Sequence, residues 1–266
     1  MNIIRQAISE GRPSLGVWST SGAPVLAELA GRAGLDWVML DTQHGAIGEA
    51  DLLPCIQAIG LGGTPALVRV GSDDPRLIMR ALDLGAAGVV IPLVSTPGQA
   101  AAVVAACRYP PHGSRSFGPV RRYYEPGGAD AEPLCLAMIE TAAGLASIDA
   151  IAATPGLDGV FIGAVDLGLD LGLGMVDFTD LTSLREPVAA IVAATKRHGI
   201  IAGAAALSAP MVDQMLELGI QLTTIGGDMT HVRQGYAADA SRRQELIRRT
   251  STSSRSPLSS RSSTRN

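Results

Sequence analysis

Eight short apolar runs recur along the chain, at 15–19, 37–41, 66–70, 88–94, 135–140, 159–163, 200–206 and 221–226. Between them lie stretches with apolar residues at helical spacing, at 24–33, 50–59, 75–84, 99–107, 145–153, 184–198 and 210–218. Several of these open with proline or an acid and close at a glycine (Gly34, Gly60, Gly85, Gly199, Gly219), the residues that start and stop helices. Near-continuous apolar runs suit parallel strands whose faces are both covered. Strand–helix alternation repeated eight times predicts a closed (β/α)8 barrel, the TIM-barrel fold of the α/β class. An open doubly wound sheet would need a glycine-rich first turn, which Gly16-Val17-Trp18 does not provide.

Composition agrees with that architecture. Hydrophobic residues make up 47% of the chain and aromatics only 3%, so the core has to be built from Ala, Val, Leu and Ile. The length of 266 residues suits one barrel domain over 1–249. The remainder, 250–266, is rich in Ser and Arg, cannot bury a core and is expected to be disordered. A net charge of −4 gives no reason to expect nucleic acid or an acidic membrane as partner. No apolar run reaches the roughly 18 residues of a membrane span. Met1-Asn2-Ile3-Ile4-Arg5 lacks a signal-peptide pattern, and the expected location is the cytoplasm. Cys55, Cys107 and Cys135 are widely spaced in apolar stretches, as buried thiols would be, and fit neither a disulfide framework nor a zinc knuckle. The long polar segment 108–133, with Pro, Gly, Arg and three Tyr, reads as a lid or a subunit contact.

The chain has one lysine, Lys196, at the polar end of a helical stretch. Schiff-base chemistry needs a lysine at the active rim. Carbanion chemistry here would therefore need a metal ion as electron sink. In a parallel barrel the site lies at the carboxyl ends of the strands. Four runs end there in a charged or titratable residue: Asp41 with Gln43 and His44, Arg69, Glu140, and Asp166 after Gly163. Burying such groups is costly unless they meet partners, so four on one rim point to a site.

Glu140 and Asp166, from neighbouring strands, form a hard oxygen pair suited to Mg²⁺ or Mn²⁺. The structural alternatives are a helix N-terminal acid for Glu140 and a helix N-cap for Asp166. Asp41 and His44 form a possible acid–base pair, against a capping Asp and a surface His. Arg69 can bind a carboxylate or stabilise an enolate oxygen, against an ion pair with Glu140 or Asp41. Gly163-Ala164-Val165 leads into a short helix whose amides form an anion cradle for a small carboxylate such as a 2-oxo acid. Gly226-Gly227 reads as a plain turn, with a phosphate site as the alternative.

Taken in order, Leu40-Asp41-x-Gln43-His44, Val68-Arg69, Asp74-Pro75, Arg108-Tyr109-Pro110-Pro111-x-Gly113-x-Arg115-Ser116-Phe117-Gly118, Ile139-Glu140-Thr141 and Gly159-Val160-Phe161-Ile162-Gly163-x-x-Asp166-Leu167 resemble the HpcH/HpaI aldolases, metal-dependent class II aldolases of pyruvate type. The resemblance spans nearly all of 1–245. It implies a barrel that exchanges its last helix with a neighbour, in a hexamer built as a trimer of dimers. It implies a divalent metal (Mg²⁺ or Mn²⁺, with Co²⁺, Ni²⁺ or Zn²⁺ as substitutes) on Glu140 and Asp166. Arg69 would hold the oxo acid, His44 oriented by Asp41 would relay protons, and Asp83 would approach the neighbouring subunit's site. The implied reaction is reversible aldol cleavage of 4-hydroxy-2-oxo acids, with pyruvate or hydroxypyruvate as enolate donor and an aldehyde as acceptor. Many members carry Glu at the position of Gln43 and Gln at that of Met138, and Pro where this chain has Ala164. These departures bear on substrate choice more than on reaction type. Two other readings of the barrel are a phosphosugar isomerase or decarboxylase using Gly226-Gly227, and a non-catalytic binding module.

Overall fold

The computed structural model describes residues 3–118, 121, 132–177, 181–206 and 208–253. All eight apolar runs form strands: β1 Ser14–Ser19, β2 Trp37–Asp41, β3 Ala66–Arg69, β4 Gly88–Ile91, β5 Leu134–Ile139, β6 Gly159–Ile162, β7 Ile201–Ala204 and β8 Leu222–Gly227. Each pairs in parallel with its sequence neighbours, and β8 pairs back onto β1 to close the barrel. β4 ends at Ile91, earlier than the run at 88–94, because Pro92 has no N–H to continue the ladder.

The helices are α1 Ile3–Ser9, α2 Pro24–Gly31, α3 Glu49–Gly60, α4 Pro75–Asp83, α5 Pro97–Cys107, α6 Ala142–Ala146, α7 Ile148–Ala152, α8 Ala164–Asp170, α9 Arg185–His198, α10 Ala209–Leu218 and α11 Asp228–Ser253. Proline in the first turn opens α2, α4, α5 and α10, and Asp74, Thr96 and Ser208 cap α4, α5 and α10 with their side chains. Gly199 and Gly219 end α9 and α10 at φ +66° and +94°, which only glycine adopts without strain. The stretch 145–153, expected as one helix, is broken at Ser147 into α6 and α7.

Alternation along the strands sorts the core into two groups. Side chains such as Val38, Val68, Ala137 and Ile162 face outward against the helices, in one aliphatic layer. Trp37, Met39, Leu67, Met138, Phe161 and Leu222 fill the barrel interior, and Ile4 of α1 packs with them. The few large rings are accommodated by glycine on the adjacent strand. A Cβ at Gly16 would lie 2.2 Å from Trp37 Cδ2, and one at Gly203 2.9 Å from Phe161 Cδ2. Cys55, Cys107 and Cys135 are free and buried.

The chain divides into two compact units, Met1–Asp228, which holds the whole barrel, and Met229–Asn266. In the second, α11 continues to Ser253, past the 249/250 boundary expected from the sequence. Residues 254–266 of the expected tail lie outside the described residues, as do 119–120 and 122–131 of the expected lid. The described part of that segment turns Arg108 and Arg115 inward, at 8% and 2% exposure. Among the described residues no helix is long and apolar enough to cross a membrane.

Candidate active site

β2 and β3 pair so that Asp41 lies beside Arg69, the last residue of each strand. Arg69 Nε donates to Asp41 Oδ1 at 2.9 Å and Nη2 donates to Oδ2 at 2.5 Å. Both side chains are nearly buried, at 10% and 2% exposure. The same carboxylate accepts from Trp18 Nε1 at 3.2 Å and from the backbone N–H groups of Gln43 and His44 at 3.0 and 3.2 Å. Burial alone would raise the Asp41 carboxyl, but the Arg69 hydrogen bonds and charge outweigh it and hold it below the ordinary value. The Arg69 guanidinium also stacks 4.8 Å over the Trp18 ring, and Trp18 leans on Phe161 at 5.9 Å.

This corrects one expectation. Asp41 does not hold the His44 imidazole; it holds Arg69, and it fixes His44 only through its backbone N–H. A buried carboxylate takes the strongest donor within reach, and a guanidinium matches both its oxygens. His44 itself is exposed at the rim.

Glu140 follows β5 and is buried at 2% exposure. Its Oε2 accepts the backbone N–H of Leu93 at 2.9 Å. Burial pushes its carboxyl up. The Leu93 N–H opposes this, Asp166 raises it further, and Arg69 and His44 pull it back, leaving it above the ordinary glutamate value. Gly163 is what gives it room: a Cβ there would lie 2.4 Å from Glu140 Cγ and 2.6 Å from Oε1.

The N-cap alternative for Asp166 does not hold, and Glu140 directly precedes the cap of its helix without forming it. Thr141, not Glu140, caps α6, accepting from the Gly144 N–H at 2.9 Å. The N-cap of α8 is Gly163, and Asp166 lies exposed within the first turn. Ala164 and Val165 precede it there, where amides have no intrahelical acceptor. Among the described residues no arginine or lysine forms an ion pair with Glu140 or Asp166. Two adjacent carboxylates without a cation of their own are costly, and two hard oxygens fit a divalent ion completed by water and substrate oxygens. Among the described residues no set of three or more His, Cys, Asp and Glu side chains is placed to hold a metal ion.

The remaining expected residues fall in different places. Gln43 lies at the rim with its Oε1 buried and unpartnered. Met138 is 2% exposed in the barrel interior, one strand position before Ile139, and forms floor beneath the rim. Asp83 does not join the site. It ends α4, just before β4 starts, at the opposite end of the barrel, where Arg115 Nη2 donates to its Oδ1 at 2.7 Å. Lys196, in the last turn of α9, is at that far end too, so no lysine serves the rim.

Sequence reasoning missed two participants. Trp18 carries a signal, since β1 adjoins β2 and an indole N–H needs an acceptor. Leu93 carries none, because its contribution is a backbone N–H. Gly226-Gly227 is a poor phosphate site. Asp228 directly follows and its carboxylate takes the Ser19 hydroxyl at 2.8 Å and the N–H groups of Thr20 and Ser21 at 3.0 and 3.1 Å, donors a phosphate would require.

The profile of the HpcH/HpaI aldolase/citrate lyase family matches residues 14–235. A hydroxypyruvate/pyruvate aldolase of Rhizorhabdus wittichii is 40% identical over 212 residues, 76% of this chain and 84% of that protein. A 2-dehydro-3,6-dideoxy-6-sulfogluconate aldolase of Pseudomonas putida is 35% identical over 223 residues, 81% of this chain and 86% of that one. Among solved structures, a HpcH/HpaI aldolase/citrate lyase family protein from Burkholderia cenocepacia superposes with a TM-score of 0.81 at 28% identity, covering 92% of this chain and all of that one.

Proposed function

The chain belongs to the HpcH/HpaI aldolase/citrate lyase family, is an aldolase, and, we propose, reversibly cleaves 4-hydroxy-2-oxo acids to pyruvate or hydroxypyruvate and an aldehyde. The observation that carries this is the buried Glu140 packed against Gly163, the residue that leads into the helix turn bearing Asp166, with neither acid in an ion pair with an arginine or lysine among the described residues.

Glu140 and Asp166 would hold a divalent cation, with Mg²⁺ or Mn²⁺ favoured by the all-oxygen donor set and Co²⁺, Ni²⁺ or Zn²⁺ as substitutes. Bound there, it would act as a Lewis acid on the oxo acid's carboxyl and keto oxygens. Every other role falls to the chain. Asp41 occupies Nε and Nη2 of Arg69 and leaves Nη1 to donate to the oxo acid oxygen on which enolate charge develops. Because that guanidinium is clamped by a carboxylate and an indole, it is preorganised and does not reorient during reaction. His44, exposed at the rim, would take a proton from C3 and return one to the aldehyde oxygen in the addition direction. Met138 provides an apolar floor. The Gly163 N–H is taken by Ile139 O at 3.1 Å, so of the expected cradle only the amides of Ala164 and Val165 are left for the substrate carboxylate. Gln43, with an unpartnered carbonyl at the rim, suits a substrate hydroxyl, as hydroxypyruvate would bring. Asp83, 5 positions ahead of the start of β4 at the far end of its own barrel, would act in the site of a second copy, in a homo-oligomer such as a hexamer. The buried free thiols suit the reducing cytoplasm.

The test is an assay of pyruvate and hydroxypyruvate against a panel of aldehydes, with each metal in turn. Retro-aldol and aldol activity should vanish on chelation and return with Mg²⁺ or Mn²⁺. Unchanged turnover in chelator-treated protein refutes the mechanism.

A further inference from the structure

Leu93 is the one non-glycine residue with positive φ among the described residues, at +58°. A leucine gains nothing from that conformation by itself; left-handed backbone is costly for residues with a Cβ and is occupied only when surroundings impose it. What the conformation achieves is visible in the hydrogen bonds. Ile91 is the last residue of β4 in register with β5, opposite Ala137. Pro92 follows and has no N–H to offer. Val94 returns to the ladder, its N–H donating to Met138 O at 3.1 Å. Pro92 and Leu93 are thus a two-residue excursion, and the Leu93 N–H reaches Glu140 Oε2 at 2.9 Å. The hydroxyls of Ser95 and Thr141, 2.7 Å apart, tie the two loops together on either side of this contact.

We infer that Leu93 is a positioning residue for cation binding: its left-handed backbone aims an amide at Glu140 Oε2, fixes the carboxylate over Gly163, and leaves Oε1 to meet the ion. This rests on the reading of Glu140 as a cation ligand. The leucine side chain is 53% exposed, so replacing it opens no core cavity, and substitutions there report on the backbone. The ranking that follows is by tolerance of positive φ. Glycine and asparagine take it readily, whereas a β-branched residue resists it. A residue with merely a turn-forming role would change stability along that series without changing affinity for the ion.

The experiment measures Mn²⁺ binding to the full-length protein without substrate, by electron paramagnetic resonance of free Mn²⁺, alongside the melting temperature. Leu93→Ile should weaken Mn²⁺ binding about tenfold or more, the usual scale for loss of a group that orients a ligand. Leu93→Gly and Leu93→Asn should bind at least as tightly as the parent. A depsipeptide variant, with the leucine side chain kept and an ester oxygen in place of its N–H, should weaken binding to the same degree as Leu93→Ile, and it carries the test if the isoleucine variant does not fold. Parent-like affinity in folded Leu93→Ile or in the ester variant overturns the inference. Glu140→Ala serves as reference. If it binds Mn²⁺ as the parent does, the assignment of Glu140 fails and takes this inference with it. If it loses binding while the Leu93 series stays flat, only the role of Leu93 fails.

Discussion

The two ends of the barrel treat buried charge differently. At the amino ends of the strands every prominent acid has cations from its own chain. Asp158 takes Arg5 at 2.5 Å and Arg108 at 2.8 Å and also accepts the Cys135 N–H, while Asp36 holds Arg12. At the carboxyl ends Asp41 is saturated by Arg69 and Asp228 by the Ser19 hydroxyl and the Thr20 and Ser21 N–H groups, whereas Glu140 and Asp166 form no ion pair among the described residues. The first arrangement closes its charge locally and joins α1, α5 and the starts of β5 and β6. The second leaves net negative charge at one point of the rim, held there by packing. On the proposed function a divalent cation would be their counterpart, so one end serves stability and the other would serve chemistry.

That contrast can be broken by removing acids from each end. Glu140→Ala and Asp166→Ala should each lower metal-dependent aldolase activity by more than about 10³-fold, a scale set by losing Lewis-acid and electrostatic stabilisation together. The folded protein should survive, as circular dichroism and melting curves would check. His44→Ala should slow kcat by roughly 10²–10⁴-fold while calorimetric titration still shows Mn²⁺ binding. Asp158→Ala, at the opposite end, should do the reverse. It leaves two arginines without their partner and should cost about 3 kcal/mol of stability, with kcat/KM on pyruvate changed less than about twofold below the melting range. Severe loss of kcat/KM in Asp158→Ala would erase the distinction between the ends.

Smaller effects sharpen it. Glu140 sits above its ordinary value, so its charge opposes folding at neutral pH. Glu140→Gln should therefore raise the melting temperature of metal-free protein at pH 7–8, and the gain should disappear below about pH 4, where neither state is ionised. Asp41 has the opposite sign. Its value is depressed, so its pair with Arg69 stabilises above about pH 4 and is lost as pH falls through the lowered folded value. The difference in melting temperature between the parent and Asp41→Asn should shrink on acidification below that point. A constant difference would mean that Asp41 acts by packing alone.

Much of this was legible in the sequence. The period of the apolar runs identifies all eight strands, and the rule that barrel sites sit at strand carboxyl ends picks out Asp41, Arg69, Glu140 and Asp166. The partnership between Asp41 and Arg69 was half legible, since both close adjacent parallel strands and only the register makes them opposite. The choice of guanidinium over imidazole depends on side-chain reach, which a linear pattern does not carry. The left-handed turn at Leu93 left no trace at all, because nothing in Ile91-Pro92-Leu93-Val94 distinguishes an amide aimed at a side chain from one aimed at a neighbouring strand. α1 also escaped, being seven residues long and short of a full amphipathic repeat.

The chain contains two tryptophans, and the fold has set them in contrasting surroundings. Trp37 is sealed at 0% exposure within the barrel, where its emission is a constant reference. Trp18 spans Arg69 and Phe161, so an oxo acid held by that guanidinium, as proposed, would disturb its excited state. The molecule thus carries its own optical gauge, and occupancy of the site can be followed by native fluorescence with no label attached.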